Sequence, residues 1–387
     1  MIISYGKQSL DQADIDSVVR VLSGDWLTQG PAIEIFENDL NQYFGSKFSC
    51  AVSNGTAALH LTGLCLGWKK SDVIITTPLT FLATANSILY TGATPSFVDI
   101  DPDNYTIDPN LVEEKIKYHH KMGQKVKAII GVDYAGNPCD WISLRTIADT
   151  YDIKLVNDNC HALGARYNNS AEYGIMYADV LTQSYHPVKH ITTGEGGAIL
   201  SNDKEFIDLC KTLRTHGMTK DPKVMSRHDG PWYYEMIKLG YNYRLTDFQS
   251  ALGSSQLKKL DSFISKRRAI AKMYDKKFTY DSFVIPKVRP ISHHSYHLYP
   301  LQINFDDLTI NKPEFFKKMN DHSINLQVHY IPIHLQPFYK KLLHYEQGDF
   351  PITEKFYENE VSLPIYPDLT EEDVENVISK VLDFTTK

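Results

Sequence analysis

The polar loop Ser184-Tyr185-His186-Pro187-Val188-Lys189-His190-Ile191-Thr192-Thr193-Gly194-Glu195-Gly196-Gly197 contains one lysine and three glycines. Apolar residues before it (178–183) and after it (197–201) predict two buried strands. A lysine between buried strands is desolvated, which lowers the pKa of its amine and makes it a nucleophile suited to Schiff-base chemistry. An ordinary solvated lysine is the alternative, and Lys189 considered alone favours it. The rest of the chain reverses that preference.

Strands and helices alternate from residue 48 to residue 200. The pattern predicts strands at 48–53, 73–76, 95–100, 126–132 and 153–158, with helices beginning near residues 54, 78, 108 and 141. Such alternation is typical of a mostly parallel sheet that is covered by helices. Because ligands of these sheets bind beyond the carboxyl ends of the strands, polar residues at those ends are the candidate site.

Three strand ends carry residues with recognisable chemistry. Asp158 ends a buried strand and needs a cationic partner, either a structural arginine or a protonated ring nitrogen of a cofactor. Gly55 and Thr56 open a helix whose free N–H groups favour phosphate, although simple capping by Asn54 or Thr56 is the alternative. Phe81 is either a core residue or an aromatic ring that stacks on a flat ligand.

One cofactor, pyridoxal phosphate (PLP), accounts for all of these features. It requires a lysine for its aldehyde, an acid that keeps its ring nitrogen protonated, an aromatic ring to stack on it, and a phosphate site. The sequence offers Lys189, Asp158 and Phe81 for the first three. For the phosphate it offers the helix start at Gly55, Thr56 and Ala57, together with Ser184.

Composition and charge argue against other classes of protein. The formal net charge of −7 argues against a nucleic-acid-binding surface. No apolar run reaches the length of a membrane span, and the first residues lack the apolar segment of a signal peptide. The five cysteines are scattered without a CxxC pair, which argues against a disulfide framework or a zinc site. We therefore expect a cytoplasmic protein without a metal.

The last third of the chain predicts a smaller α+β domain. Thr246 and Gln249 have the spacing of a capping box that begins a long helix, so we divide the chain into a large PLP-binding domain, 1–250, and a small domain, 251–387. The small domain has predicted strands at 296–305, 326–331 and 361–364 and predicted helices at 312–320, 352–359 and 370–384. His329 and His334 lie in it without a nearby carboxylate, so a polar substrate rim is favoured over a metal site, and a packed loop is favoured over both when the segment is considered alone.

The chain resembles the DegT/DnrJ/StrS family of nucleotide-sugar aminotransferases, which are fold type I PLP enzymes. The resemblance covers nearly the full length, and its most specific part is the lysine loop. It implies a large domain with a mostly parallel, mixed seven-stranded sheet and a smaller α+β C-terminal domain. The matching segments are residues 5–8, 25–31, 54–59, 157–164, 189–197 and 240–247.

The resemblance also implies an activity: transfer of an amino group from L-glutamate to a 4-keto-6-deoxy UDP-sugar, in a homodimer with its sites at the subunit interface. Lys189 and Asp158 would be catalytic, Lys189 as general base and acid and Asp158 as the group that keeps the cofactor ring an electron sink. The implied cofactor contacts are Gly55, Thr56, Ala57, Phe81, Asp158, His161, Ser184, Lys189 and, from the partner subunit, Asn242. The implied substrate contacts are Tyr5, Lys7, Arg227, His329, Tyr330 and His334.

Other activities on the same scaffold are the alternatives. A different nucleotide-sugar 3- or 4-aminotransferase would share these residues. Dehydratases of the family carry histidine in place of the lysine, but Lys189 keeps its position five residues before Gly194, although His190 follows it. Asn157 departs from the acidic residue that is usual before the aspartate. Because Asn157 is not the partner of the ring nitrogen, the expected chemistry is unchanged.

Overall fold

The computed structural model describes residues 2–385. The helices are α1 Gln12–Leu22, α2 Pro31–Phe44, α3 Gly55–Cys65, α4 Leu82–Tyr90, α5 Pro109–Lys121, α6 Trp141–Thr150, α7 Tyr173–Tyr177, α8 Lys204–Arg214, α9 Asp247–Leu257, α10 Leu260–Lys277, α11 Lys312–Asp321, α12 Pro337–Leu343, α13 Pro351–Asn359 and α14 Glu371–Thr385. The strands are β1 Phe48–Val52, β2 Asp72–Thr76, β3 Thr94–Phe97, β4 Lys125–Val132, β5 Lys154–Asp158, β6 Arg166–Tyr167, β7 Val180–Ser184, β8 Gly197–Ser201, β9 Met218–Thr219, β10 Glu235–Met236, β11 Phe283–Val284, β12 Ser292–His293, β13 Tyr299–Ile303 and β14 Glu360–Leu363.

A seven-stranded sheet with the order β1-β8-β7-β5-β4-β2-β3 dominates the first half of the chain. The pairs from β7 through β5, β4 and β2 to β3 are parallel, whereas β8 runs antiparallel to both of its neighbours. Asp158 lies in register with Val132 on one side and Thr182 on the other, so three carboxyl ends meet beside it. The predicted mixed, mostly parallel α/β sheet is confirmed.

Helices cover both faces of this sheet. Along β2, Ile75 packs into a core with residues of α5 and α6, and its neighbour Ile74 packs into another core with residues of α3 and α8. Successive side chains of a strand point to opposite faces, so a strand buried on both sides reads as the continuous apolar run seen here. This burial fixes the sheet rigidly and leaves its carboxyl edge for the candidate site.

The C-terminal part has its own core around the three-stranded sheet β11-β13-β14, with α10, α11 and α14 packed against it. The N-terminal segment belongs to this core as well, because Ile3 is buried in it and the Ile3 amide donates to the Ser323 carbonyl at 2.9 Å. The division into 1–250 and 251–387 stays a prediction, and Ile3 is a contact that crosses it.

Three predicted elements differ from the structure. The helix expected from residue 78 begins at Leu82, with Phe81 at the N-cap. The long helix begins at the predicted capping box but is two helices, α9 and α10. The predicted strand at 326–331 is wrong. Gln327 forms one bridge to Ser362, but the amides of Val328 and His329 donate to side chains instead of to a neighbouring strand. The acceptor for the His329 amide is the Glu360 carboxylate, at 3.0 Å.

Within residues 2–385, no helix combines the length and the apolar character that a bilayer crossing requires.

Candidate active site

A cavity of about 970 Å³ opens at the carboxyl edge of the large sheet. Its wall combines the lysine loop after β7, the starts of α3 and α4, the end of β5, and residues 327–331 from the C-terminal part. Most of the predicted site residues are brought together here. Those that line the cavity are Tyr5, Gly55, Thr56, Ala57, Phe81, Asp158, His161, Ser184, Lys189, His329 and Tyr330.

Backbone hydrogen bonds within the lysine loop hold its conformation. The Tyr185 amide donates to the Gly196 carbonyl at 2.8 Å, the Lys189 amide donates to the His186 carbonyl at 2.8 Å, and the Tyr185 side chain is fully buried below. Desolvation lowers the pKa of Lys189 to about 8, against the opposing charges of Cys160 and Asp158. About a tenth of this amine is therefore neutral and nucleophilic at pH 7, far more than for an ordinary lysine.

Asp158 is buried, with 5% of its surface exposed. Its carboxylate accepts hydrogen bonds from the Thr84 hydroxyl at 2.7 Å and from the Cys160 amide at 3.3 Å. Among residues 2–385 no lysine or arginine forms an ion pair with it, so a structural arginine is not its partner. A buried carboxylate beside a cavity and without a cation fits a protonated ring nitrogen of a bound group.

The start of α3 is both capped and open to an anion. The Asn54 side chain accepts from the Ala57 amide at 2.8 Å, so the capping alternative holds for Asn54 and the Ala57 amide is already used. The first-turn amides of Gly55 and Thr56 have no acceptor within the helix. A Cβ on Gly55 would lie 2.8 Å from the Ser184 Cβ, so only glycine lets the helix start approach Ser184 this closely. The amides of Gly55 and Thr56 with the Ser184 hydroxyl fit a phosphate.

Aromatic and histidine side chains complete the wall. Phe81 is 54% exposed, which rules out the core alternative, and its ring lies 5.7 Å from that of Tyr330. The Tyr330 hydroxyl is 3.0 Å from Nε2 of His161. Burial first, then the charge of Lys189, holds the pKa of His161 well below its ordinary value, so His161 is neutral. Phe81 and His161 thus offer flat, uncharged surfaces to a ring.

Four predicted residues do not line this cavity. Lys7 and Asn242 are exposed, and Arg227 lies on an exposed loop where its Nε donates to the Tyr233 hydroxyl at 2.9 Å. His334 is fully buried, its Nε2 is 2.9 Å from the Glu354 carboxylate, and its ring packs on Phe350. The structure therefore does not bring His334 to the substrate, and the packed-loop alternative describes it.

Sequence reasoning assigned no role to two residues that contact the central pair. Thr84 bonds Asp158, and His297 places its Nε2 3.4 Å from Nζ of Lys189. Thr84 carries a weak signal, since it lies one turn after Phe81 in a helix that starts at a strand end. His297 carries none, because 108 residues separate it from the lysine.

A buried lysine of lowered pKa, a buried carboxylate without a cation, a helix start beside a serine and an exposed aromatic ring all face one cavity. On a mostly parallel α/β sheet this arrangement defines a PLP-dependent aminotransferase. The sequence profile of the DegT/DnrJ/EryC1/StrS aminotransferase family matches residues 8–382. The chain belongs to that family, whose members are PLP-dependent sugar aminotransferases.

Individual relatives agree with this assignment. The chain is 39% identical over 379 residues to the UDP-4-amino-4,6-dideoxy-N-acetyl-β-L-altrosamine transaminase of Campylobacter jejuni, covering 97% of this chain and 96% of the relative. The structure of Helicobacter pylori PseC, an aminotransferase involved in the biosynthesis of pseudaminic acid, superimposes with a TM-score of 0.90 at 33% identity, over 100% of this chain and 99% of that chain. The PLP form of the putative sugar aminotransferase Spr1654 from Streptococcus pneumoniae gives a TM-score of 0.89 at 27% identity, over 100% and 98%.

Proposed function

We propose that this chain transfers the amino group of L-glutamate to a 4-keto-6-deoxy UDP-sugar and so forms UDP-4-amino-4,6-dideoxy-N-acetyl-β-L-altrosamine, in pseudaminic acid biosynthesis. The observation that carries the proposal is that Lys189 and Asp158 both line one cavity, which is large enough for a cofactor and a sugar. The choice of sugar is supported by the Campylobacter and Helicobacter relatives.

PLP supplies an aldehyde that carries the amino group and a ring that accepts the electrons left when a proton leaves the substrate carbon. The residues of the chain do the rest. Asp158 would hold the proton on the ring nitrogen, and the Gly55 and Thr56 amides with the Ser184 hydroxyl would bind the phosphate. Lys189 would be the base and then the acid that moves the proton at the substrate carbon. Phe81 would offer its ring as a stacking surface.

The substrate side of the proposal rests on Tyr5, His329 and Tyr330. The rings of Tyr5 and His329 lie 5.3 Å apart on the cavity wall, and the His329 amide is held by Glu360. Burial lowers the pKa of His329 to about 3, so it offers hydrogen bonds rather than charge. Neutral polar groups of this kind suit the hydroxyl and acetamido groups of a sugar.

Turnover with a panel of keto sugars tests the function. Purified enzyme with PLP and L-glutamate is incubated with 4-keto and 3-keto sugars on UDP and dTDP, and amino sugar and 2-oxoglutarate are measured by mass spectrometry. We expect amination of the 4-keto UDP-sugar, with Lys189→Ala as the inactive control. Preference for a 3-keto or dTDP sugar would reassign the substrate, and loss of the sugar hydroxyl without amination would indicate a dehydratase.

We also infer a homodimer in which Asn242 completes the site of the partner subunit. Asn242 is exposed and lies outside the cavity of its own chain, although its neighbour Tyr243 lines that cavity. The segment before it exposes large apolar side chains, with Trp232 at 72% and Leu239 at 79%. A cluster of exposed apolar side chains is typical of a protein-protein contact. The cytoplasmic location stays a prediction.

Complementation between inactive variants tests the dimer. When Lys189→Ala and Asn242→Ala chains exchange subunits, a shared site puts both lesions in one site of the heterodimer and leaves the other intact. Each heterodimer should have about half the activity of a wild-type dimer, and a fully exchanged equal mixture about a quarter, because two-fold symmetry leaves one intact site in each heterodimer and only about half of the dimers are heterodimers. The matched control mixes Lys189→Ala with Asp158→Asn, which must restore nothing because both residues belong to the same chain's site. Absence of rescue despite proven exchange would leave Asn242 as a local cap.

A further inference from the structure

A cluster of buried histidines lies beside the lysine, and two of its members line the same cavity. His161, His190 and His297 are each at most 5% exposed. The ring centroid of His297 lies 4.4 Å from that of His161 and 5.6 Å from that of His190. His297 comes from the segment between β12 and β13, so the C-terminal part supplies the group that contacts Lys189.

The hydrogen bonds of the cluster assign its tautomers. Nε2 of His190 is 3.2 Å from the Ser295 carbonyl, which can only accept, so this nitrogen carries the proton and Nδ1 of the neutral ring is an acceptor. Nε2 of His297 faces the amine of Lys189 at 3.4 Å. A protonated amine can only donate, so Nε2 of His297 accepts and its Nδ1 carries the proton.

The two remaining nitrogens are not bonded to each other. Neither Nδ1 of His297 nor Nδ1 of His190 has a hydrogen-bond partner among residues 2–385, although both are buried. The contact with the protonated amine of Lys189 is therefore the one that sets the tautomer of His297.

The backbone of His297 is held firmly. Arg267, which is 1% exposed, donates to the carbonyls of Tyr296 and His297 at 3.1 and 3.3 Å. The amide of Ser295 donates to the Gly136 carbonyl at 2.9 Å, which ties the same segment to the loop after β4. A buried arginine bound to carbonyls rather than to a carboxylate is costly, so its position indicates that this segment must stay fixed.

Charges around the cluster keep the imidazoles neutral. Burial is the main cause that holds the pKa of His297 well below its ordinary value, followed by the charge of Lys189, then His161, His190 and Arg267. His190 has a similarly lowered pKa because of burial and Arg267. The acidic groups that face Lys189 are the Asp158 carboxyl and the Cys160 thiol, and burial raises the pKa of that thiol well above its ordinary value, so the thiol is neutral. A neutral His297 can accept a hydrogen bond from the protonated amine of Lys189 without repelling its charge.

We propose that His297 is a positioning residue that receives the free amine of Lys189. The proposal rests on the proposed role of Lys189 as the reactive amine. Whenever Lys189 is not bonded to a cofactor, His297 would keep its Nζ at the cavity wall instead of letting the side chain move among rotamers. An acceptor at this place also stabilises the protonated amine and so raises its pKa.

The test measures the titration of Lys189 in the cofactor-free full-length protein by pulse labelling with acetic anhydride and quantitative peptide mass spectrometry. His297→Leu removes the acceptor, and we expect the labelling midpoint of Lys189 to fall by about one pH unit, which makes labelling well below the midpoint about tenfold faster. His297→Gln keeps an oxygen that can accept and should restore most of the wild-type midpoint. An unchanged midpoint in His297→Leu, or no difference between the two variants, would overturn the proposal.

A second measurement uses only the wild-type protein, so it does not depend on whether a variant folds. ¹⁵N NMR of histidine-labelled wild-type protein should report His297 as the neutral Nδ1–H tautomer, and the Nε2–H tautomer would contradict the proposal. Labelling of wild-type protein with PLP bound is the control for the proposed function, since the aldehyde should protect Lys189. Missing protection would refute Lys189 as the cofactor lysine, whereas protection with an unmoved midpoint would refute only the role of His297.

Discussion

Replacing Asp158 with asparagine separates the chemistry of the site from its stability. The substitution exchanges one carboxylate oxygen for an amide group of similar size, and the remaining oxygen can still accept from the Thr84 hydroxyl, which lies 2.7 Å away in the wild type. A neutral amide cannot hold the proton on the ring nitrogen of PLP. Two opposite charges about 4 Å apart interact by about 4 kcal/mol at an effective dielectric constant of about 20. We therefore expect the rate to fall about a thousandfold.

Stability should change little. Among residues 2–385 Asp158 forms no ion pair with lysine or arginine, and its oxygens accept from the Thr84 hydroxyl and the Cys160 amide. Asparagine keeps the acceptor for Thr84 and loses only the 3.3 Å bond from Cys160, which contributes about 1 kcal/mol. The melting temperature of cofactor-free Asp158→Asn should thus lie within a few degrees of that of the wild type.

The assay combines single-turnover absorbance of the bound cofactor after addition of L-glutamate with thermal melting of the cofactor-free protein. Thr84→Val is the matched control, because it removes the hydroxyl and keeps the carboxylate, and it should lose far less activity. A rate of Asp158→Asn within about tenfold of wild type, a loss of under 1.4 kcal/mol in barrier, would refute the assignment of Asp158. A melting temperature lowered by more than a few degrees would instead indicate a structural role.

Three further outcomes are expected. Borohydride reduction of the yellow holoenzyme should attach the cofactor to Lys189, as shown by peptide mapping, and Lys189→Ala should lose transamination while still binding PLP; a label on another lysine would contradict this. The pKa of Lys189 is lowered to about 8, so the fraction of neutral amine should fall about tenfold per pH unit below that value. The rate at which cofactor-free protein reacts with PLP, measured by absorbance, should fall in the same proportion. A rate that stays constant from about pH 6 to about pH 8 would contradict this. Glu37→Gln should lower the free energy of unfolding by about 3 kcal/mol in denaturant titration, because its buried carboxylate binds Arg214 and Lys211 at 2.8 and 2.6 Å; activity should be unchanged, as Glu37 lies outside the cavity.

The parts of the site that the sequence predicted are those in which chemistry and strand order coincide. Asp158 ends β5 and Lys189 follows the neighbouring strand β7, so two buried apolar runs with a charged residue at or after the carboxyl end predicted that both lie at the same edge of the sheet. The start of α3 was predicted for the same reason. The exact use of each amide was not, because the Asn54 cap and the phosphate compete for the same donors and only geometry divides them.

Contacts between residues that are far apart in the sequence could not be predicted from it. His297 reaches Lys189 from the C-terminal part, and the position of that part depends on packing rather than on local pattern. The 326–331 segment looked like a strand because its apolar residues alternate. Its amides instead bond side chains such as Glu360, a buried carboxylate that no local pattern announces. His334 was misjudged by the same logic, since its partner Glu354 is 20 residues away.

The spacing of the two central groups also favours PLP over a simple structural ion pair. Lys189 and Asp158 face the same cavity, yet within residues 2–385 they form no ion pair with each other. A direct pair would hold the lysine in its protonated form and consume the carboxylate that a ring nitrogen needs. In pyridoxal the aldehyde and the ring nitrogen lie on opposite sides of the ring, so a lysine and a carboxylate that serve them must be kept apart. The cofactor-free protein therefore keeps an acid without a lysine or arginine partner and, apart from it, an amine of lowered pKa, which is the arrangement that a bound PLP would need.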